Sequence, residues 1–366
     1  MVIILDKKEF AEAVQSVARF AQRTSASLPV LSGIAIIAGD DGIKLRATNL
    51  ETGIDLLLAG TIKETGVVAL PASVLREITA SLSGTGPLTL EQSGNTVSVK
   101  SGTGTSSLKT LPYEDFPVLP LPESPKATFS LPGAVLRTLI TSVASYASVS
   151  TVRPELASVL ITAEGGALTA VATDSFRLAE KKINLSGTIP PFSMLIPAKN
   201  ALDIVQTLPD TDVGVSLDDH QCVFTWKGGL VTTRLVSANY PDYAQIIPKA
   251  SVGEAVLLKK DFEAALKRTA VFSDAFQKVR LGFSVADKKL TLNSQNSDVG
   301  ESLESVPGNL SGESVELSFN HRYLSAPLPS ITAESITLSV SGMGRAMIMR
   351  GTGDSSFLYL VMPMNQ

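Results

Sequence analysis

Cysteine occurs once in the 366 residues, at Cys222, so the chain cannot form an internal disulfide, and a reducing, cytoplasmic setting is expected. Histidine occurs twice, at His220 in "LDDHQC" and at His321. A Ser-His-Asp triad needs a histidine base, and neither histidine accompanies a Gly-x-Ser-x-Gly elbow. There is no GxxxxGK[ST] loop and no strand-linked GxGxxG; "SGTGTSS" (101–107) reads as a loose turn. "DDHQC" (218–222) packs Asp, His and Cys together, but no second ligand pair follows at zinc spacing. Acidic pairs such as Asp40-Asp41 sit in turn-like tips. No catalytic residue, no metal and no cofactor is therefore expected, and an enzyme is disfavoured. No run approaches the roughly 20 apolar residues of a membrane span. In "MVIILDKKEF" the basic residues follow the apolar run, the reverse of a signal peptide. No membrane partner is expected.

What is present is repetition. Hydrophobic residues make up 44% and charged residues 18%, typical of a folded chain, and the length calls for two or three domains. Segments 6–23, 132–148 and 259–273 each place apolar residues at i, i+3, i+4, i+7, which predicts three helices with one buried face. Phe10, Leu136 and Phe262 are evenly spaced within them. A second helical series starts at Leu70, Ile196 and Phe319. Its first two members open with Pro-Ala, proline suiting a first helical turn; in the third, Asn320 is placed to cap the helix and Pro327 to end it. Between the helices, 42–60, 166–183 and 288–306 share one plan: an alternating strand, a small polar cluster, then a second strand. Thr48-Asn49 matches Thr173-Asp174 and, more loosely, Gln295-Asn296. The expected class is α+β, with three similar domains, 1–124, 125–250 and 251–366. Each is built from two helix-plus-antiparallel-sheet half-units that bury against their neighbours.

The six helical segments hold twelve Lys or Arg against seven Asp or Glu, in a chain of net charge −4. Basic helices on an acidic body suit a protein that holds nucleic acid by its phosphates on one face. Taken alone, the same excess suits ordinary solvent-exposed helices.

Three further stretches put apolar or soft side chains where a surface is expected: "VATDSFRLAE" (171–180), "ANYPDYAQIIP" (238–248) and the terminal "FLYLVMPMNQ". Methionine suits surfaces that accept varied apolar partners, although core filling explains such residues equally well. Together with "LPVLSGIAI" (28–36) and "FNHRYL" (319–324), these stretches resemble, in order and spacing, the bacterial sliding clamps, the beta subunits of DNA polymerase III. The likeness covers essentially the whole chain.

That resemblance implies the DNA clamp fold and a head-to-tail homodimer closed into a ring, with helices lining the hole and sheets outside. The ring confers processivity without catalysis. The implied partners are a second copy, duplex DNA without sequence specificity, the DNA polymerase III alpha subunit, the clamp loader and other proteins bearing a clamp-binding motif. The family's partner-peptide pocket falls, position by position, on Leu156, Thr173, Ser175, Phe176, Arg177 and Leu178. It continues with Pro241, Ile246, Asn320 and Tyr323, and closes with Leu360, Met362, Pro363 and Met364. DNA contacts fall on Arg23, Arg137, Arg153 and Lys199. The subunit interface falls near Leu108 on an edge strand and Val271-Phe272 at a helix end. Three departures stand out. Ser175-Phe176 replaces the commoner Gly-His, Glu155 follows Arg153-Pro154, and Thr103 and Thr105 stand where basic residues can supplement the interface. From the residues alone, a monomeric peptide-binding scaffold and, less favoured, a repeat-built hydrolase stay open as alternatives.

Overall fold

A computed structural model of the chain describes residues 1–23, 28–82, 84–185 and 187–364. It separates into two compact units, Met1–Thr138 with Ile189–Ser237, and Leu139–Thr188 with Ala238–Gln366. Six helices occur among the described residues: α1 (Lys7–Val17), α2 (Ala72–Ser81), α3 (Gly133–Thr141), α4 (Ala198–Val205), α5 (Lys259–Ala270) and α6 (His321–Ser325).

The helices form where amphipathic spacing and caps coincide. In α1, Phe10, Ala13, Val14 and Val17 are buried, while Asp6 Oδ1 accepts from the amides of Lys8 and Glu9 at 2.9 and 3.1 Å. In α5 the buried set is Phe262, Ala265, Leu266 and Thr269. Each large apolar side chain of this kind contributes about 1.5–3 kcal/mol on burial. α6 begins as expected, with Asn320 accepting from the Arg322 amide at 2.9 Å, and it stops before Pro327. Pro71 and Pro197 stand one position earlier than expected, capping α2 and α4 rather than lying in their first turns.

α1 and α3 are shorter than their apolar spacing predicts. After Val17 the chain turns, buries Phe20 and bonds Gln22 N–H to the Leu31 carbonyl. After Thr141 a short 3-10 turn, Ala144–Tyr146, takes over, with the Tyr146 hydroxyl donating to the Ala326 carbonyl at 3.0 Å. Serines and threonines in "TSVASYAS" compete poorly for helix against such tertiary contacts.

The first unit carries two antiparallel sheets. One has five strands in the order 60–64, 2–6, 87–93, 96–101, 104–109. The other has eight, in the order 127–132, 212–217, 221–226, 229–234, 52–58, 42–48, 33–39, 66–71. In the latter, Gly229–Arg234 pairs with Thr52–Leu58, Val231 opposite Ile54, so one sheet runs unbroken from the first third of the sequence into the second. The second unit repeats the device. Its strands run 158–164, 167–173, 177–184, 357–361, 347–351, 335–340, 253–258, 300–312, 289–296, 278–284, 316–320. Here Phe357–Val361 pairs with Arg177–Asn184, Tyr359 opposite Ala179, carrying the sheet from the second third into the last.

The expected hairpins are all present: 42–48 with 52–58, 167–173 with 177–184, and 289–296 with 300–312. The first two turns are the same object. Thr48 and Thr173 each donate a hydroxyl four residues ahead, to the carbonyls of Thr52 and Arg177, both at 2.7 Å. Asn49 and Asp174 each accept two turn amides on Oδ1. Leu50 (φ 72°) and Ser175 (φ 78°) each adopt the left-handed conformation that closes the loop.

Candidate functional site

The turn at 173–177 organises the residues expected to form a peptide pocket, all of which lie in the second unit. Asp174 Oδ1 holds the amides of Phe176 and Arg177 at 3.0 Å, while Oδ2 accepts from Arg177 Nε at 2.9 Å. The Arg177 guanidinium, so fixed, lies 4.6 Å from the ring centre of Tyr323 on α6 and 5.4 Å from that of Tyr146. Tyr146 packs on Tyr359 with ring centres 5.1 Å apart, and the Tyr359 hydroxyl donates to the Tyr323 carbonyl at 2.8 Å. Burial drives the Tyr359 hydroxyl well above its ordinary pKa, so it stays a neutral donor. One arginine thus ties a β-turn, a short helix and the last strand together, partly through cation–π attraction.

The chain terminus is laid against the same turn. Leu360 pairs with Leu178, the Met362 amide donates to the Phe176 carbonyl, and the Met364 amide donates to the Ser318 carbonyl, both at 2.8 Å. Thr173, Leu178 and Leu360, paired in succession, are buried and form floor rather than rim, and Leu156 is buried as well. Phe176 is 60% exposed, Ile246 54% and Met362 38%, a cluster of large apolar groups open to solvent. Pro363, Met364 and Tyr323 are half-buried, and Asn320 is occupied in capping α6. The exposed segment with Pro241 and Ile246 is anchored by Tyr243, whose hydroxyl donates to Glu180 Oε2 at 2.7 Å. The Tyr243 hydroxyl is itself raised in pKa, by burial first and then by that carboxylate. Among the described residues no hydrogen bond ties Leu156 to this group; its carbonyl accepts from the Ser148 amide at the base of the loop 148–156.

The sequence reading missed Tyr146 and Tyr359, which support Arg177. It also left Asp174 out of the pocket, although Asp174 stood in the quoted motif, and an Asp three residues before an Arg across a turn is a usable signal.

The expected DNA-contacting residues differ in availability. Arg23 and Lys199 are exposed, and no carboxylate of the described residues lies within 4.0 Å of either. Arg137 is committed elsewhere: its guanidinium bonds Asp210 and the carbonyls of Val205 and Leu208, which leaves it clamping the end of α4. Arg153 pairs with Glu155 at 2.9 Å while remaining 59% exposed. Asp203 was overlooked. It is half-buried on α4 with a pKa raised by burial, an effect that nearby Lys199 and the equally overlooked Arg19 oppose.

Of the interface residues, Val271 is 67% exposed, Phe272 is half-buried, and Leu108 is buried opposite Val97. Leu108 therefore holds its strand in place, and the strand's open surface is Gly104–Ser107 and Lys109. His220 has its backbone in a turn closed by Asp218, and His321 Nε2 lies 2.8 Å from Gln277 Oε1. Neither bonds to Ser175.

The N-terminal, central and C-terminal domain models of the DNA polymerase III beta subunit match residues 1–120, 130–242 and 244–365. The beta sliding clamp of Synechococcus elongatus is 28% identical over 344 residues, 92% of each chain. The crystal structure of the Bacillus subtilis DNA polymerase sliding clamp superposes with a TM-score of 0.90 at 26% identity, over 100% of this chain and 99% of that one. The beta subunit structure from Thermotoga maritima, at 22% identity, shares the fold with a TM-score of 0.93 over 100% and 99%. The chain belongs to the DNA polymerase III beta subunit family: it has the α+β three-domain clamp fold and is a beta sliding clamp, a non-catalytic subunit that confers processivity in DNA replication.

Proposed function

We propose that two copies close head to tail into a ring around duplex DNA, with domains at 1–124, 125–250 and 251–366. One observation carries this reading, the repeated strand pairing. Strand 229–234 pairs with 52–58, and 357–361 with 177–184. At the same spacing, about one third of the chain, the remaining equivalents are 104–109 and 300–307. Neither has a partner on its outer side among the described residues: 104–109 ends its sheet, and 300–307 pairs only with 289–296. A free edge invites another strand. One chain cannot satisfy both by the pattern it uses internally, whereas two head-to-tail copies can. Exposed Val271, Val299 and Leu303 surround the second edge and supply apolar area. The three separate family matches, 1–120, 130–242 and 244–365, support the domain bounds.

Phosphate attraction through Arg23, Lys199 and Arg19 holds DNA without reading bases, which suits sliding; Arg153 contributes in competition with Glu155. The pocket around Arg177 takes short apolar peptide motifs from the DNA polymerase III alpha subunit, the clamp loader and other partners, in the cytoplasm. Exposed Phe176, Ile246 and Met362 over a floor of Leu178 and Leu360 favour a few buried anchors. Two measurements test the reading. Size in solution should be twice the 38.5 kDa chain mass, and loaded protein should stay on circular plasmid but run off after linearisation. A single-chain mass at every concentration would leave a monomeric scaffold.

A further inference from the structure

A cavity of 520 Å³ lies over the sheet of the second unit, lined by Lys249, Glu254, Ser339, Ile348 and Arg350 among others. Arg350 is unusual there. Its Nε is buried without a hydrogen-bond partner, and no carboxylate of the described residues lies within 4.0 Å of its guanidinium. A buried donor left unmade is costly, and arginine presents a fork matched to a carboxylate. Two acids line the same cavity but do not meet that need. Asp354 accepts from the Ser356 amide at 2.7 Å, and Glu254 sits two strands from Arg350.

The cavity lies on the same face of the sheet as Leu178 and Leu360, the floor of the expected peptide pocket. Strand registers set Thr173, Leu178, Leu360, Ile348, Ser339 and Glu254 opposite one another in succession, so the six side chains form one row on one face of the sheet. Arg350, two residues from Ile348, shares that face. Along the row the character changes from buried leucine to half-buried serine and glutamate. The segment 241–248 puts Pro248 in the cavity lining and, two residues earlier, leaves Ile246 exposed.

We propose that this cavity is a second subsite for the same partner peptide, holding a carboxylate in the segment that flanks the apolar anchors. The inference rests on the pocket reading above. Strands are spaced about 4.8 Å, so Leu360 and Ser339 stand roughly 10 Å apart, a span that an extended peptide covers in about three or four residues. The carboxylate meets Arg350, with Lys249 supplying further positive charge, and the hydroxyl of Ser339 satisfies the peptide between. Glu254 opposes a second negative charge, so the subsite favours a single acid over an acidic run.

The test uses fluorescence anisotropy on the intact protein. The probes are acetylated and amidated peptides with adjacent Leu and Phe anchors, bare or extended at either end by Gly-Ser-Gly-Asp, so the side chain is the sole carboxylate. One extended peptide should bind roughly 5–20-fold tighter than the bare one. Arg350→Gln should erase that gain while leaving the bare peptide's affinity unchanged, and Glu254→Gln should enlarge it. Replacing Asp by Asn in the peptide should act like Arg350→Gln. If neither extension gains affinity, or the gain survives Arg350→Gln, the subsite is wrong while the pocket stands. If the bare peptide binds no better than a Gly-Ser control, both readings fall.

Discussion

Asp174 and Arg177 hold each other at 2.9 Å from opposite ends of one turn, with only 15% and 18% of their side chains exposed. The carboxylate does two jobs, since its other oxygen closes the turn through two amides. Asp174→Asn keeps an amide acceptor but removes the charge that fixes Arg177; Asp174→Ala removes both. We expect Asp174→Ala to cost about 1–3 kcal/mol of stability, and Asp174→Asn less. Both should weaken anchor-peptide binding, because Arg177 then leaves the Tyr323 ring. Chemical denaturation and anisotropy on the same samples separate the two effects.

Met362 projects beside Phe176, fixed by the bond from its own amide to the Phe176 carbonyl. A charge there meets the apolar surface a peptide anchor needs, yet at 38% exposure it disturbs little of the folded core. Met362→Asp is expected to lower peptide affinity by about 10–100-fold with subunit association unchanged. Sizing and anisotropy together check this; unchanged affinity removes Met362 from the site.

Ser175 and Leu50 occupy left-handed positions, φ 78° and 72°, where a side chain crowds its own backbone. Glycine relieves that crowding but loosens the unfolded chain. Each of Ser175→Gly and Leu50→Gly should therefore stabilise by about 0.5–1 kcal/mol at most. The midpoint of urea unfolding reads this directly, and a loss of stability in both would mean the side chains pack more than they strain.

These turns also mark what the sequence made legible. Thr48-Asn49 and Thr173-Asp174 encode a local hydrogen-bonding pattern, so their equivalence could be read from residue types and spacing, as could the Asn320 cap. Pocket positions 173–178 and 360–364 followed from resemblance, and the structure brings them together by strand pairing. Sheet continuity was illegible: Val231 opposite Ile54 depends on a pairing 177 residues apart, for which no local pattern exists. Helix ends failed for a similar reason, since Phe20 and Tyr146 continue the apolar spacing but are buried from backbone outside the α-helices, Phe20 from a turn and Tyr146 from a 3-10 turn. Arg137 counted as a surface cation until Asp210 and two carbonyls claimed it.

If DNA is held through Lys199 and Arg19 as proposed, Asp203 couples that affinity to pH. Burial raises its pKa in the folded state, so the folded chain binds this proton more tightly than the unfolded one. Its contribution to stability is present below the unfolded value and is lost as pH rises through the folded value. Protonation also removes a negative charge beside Lys199 and Arg19. DNA affinity should rise as pH falls into the Asp203 range, and Asp203→Asn should reproduce that rise at neutral pH, by roughly 2–5-fold, while flattening the pH dependence. Lys199→Ala should act oppositely and lower the salt slope by about 0.9. Salt titrations of binding to a short duplex at several pH values check all three.

The two strand edges left open among the described residues make the strictest demand on the proposed ring. Leu303 (68% exposed) and Val271 (67% exposed) contribute little to the isolated subunit, so replacing them costs its fold little. Across a closed interface the same side chains lose water, and a buried charge without a partner is expensive. Leu303→Asp with Val271→Asp should weaken subunit association at least tenfold, leave the unfolding free energy of the monomer within about 0.5 kcal/mol of the parent, and abolish retention on circular plasmid. Ser107→Pro, which removes an outward-facing amide from strand 104–109, should weaken association from the other side. Combined in one chain, the two sets of changes should add little to either alone, because they break the same joint. Sedimentation over a dilution series measures each case, and full additivity would place the edges in separate contacts.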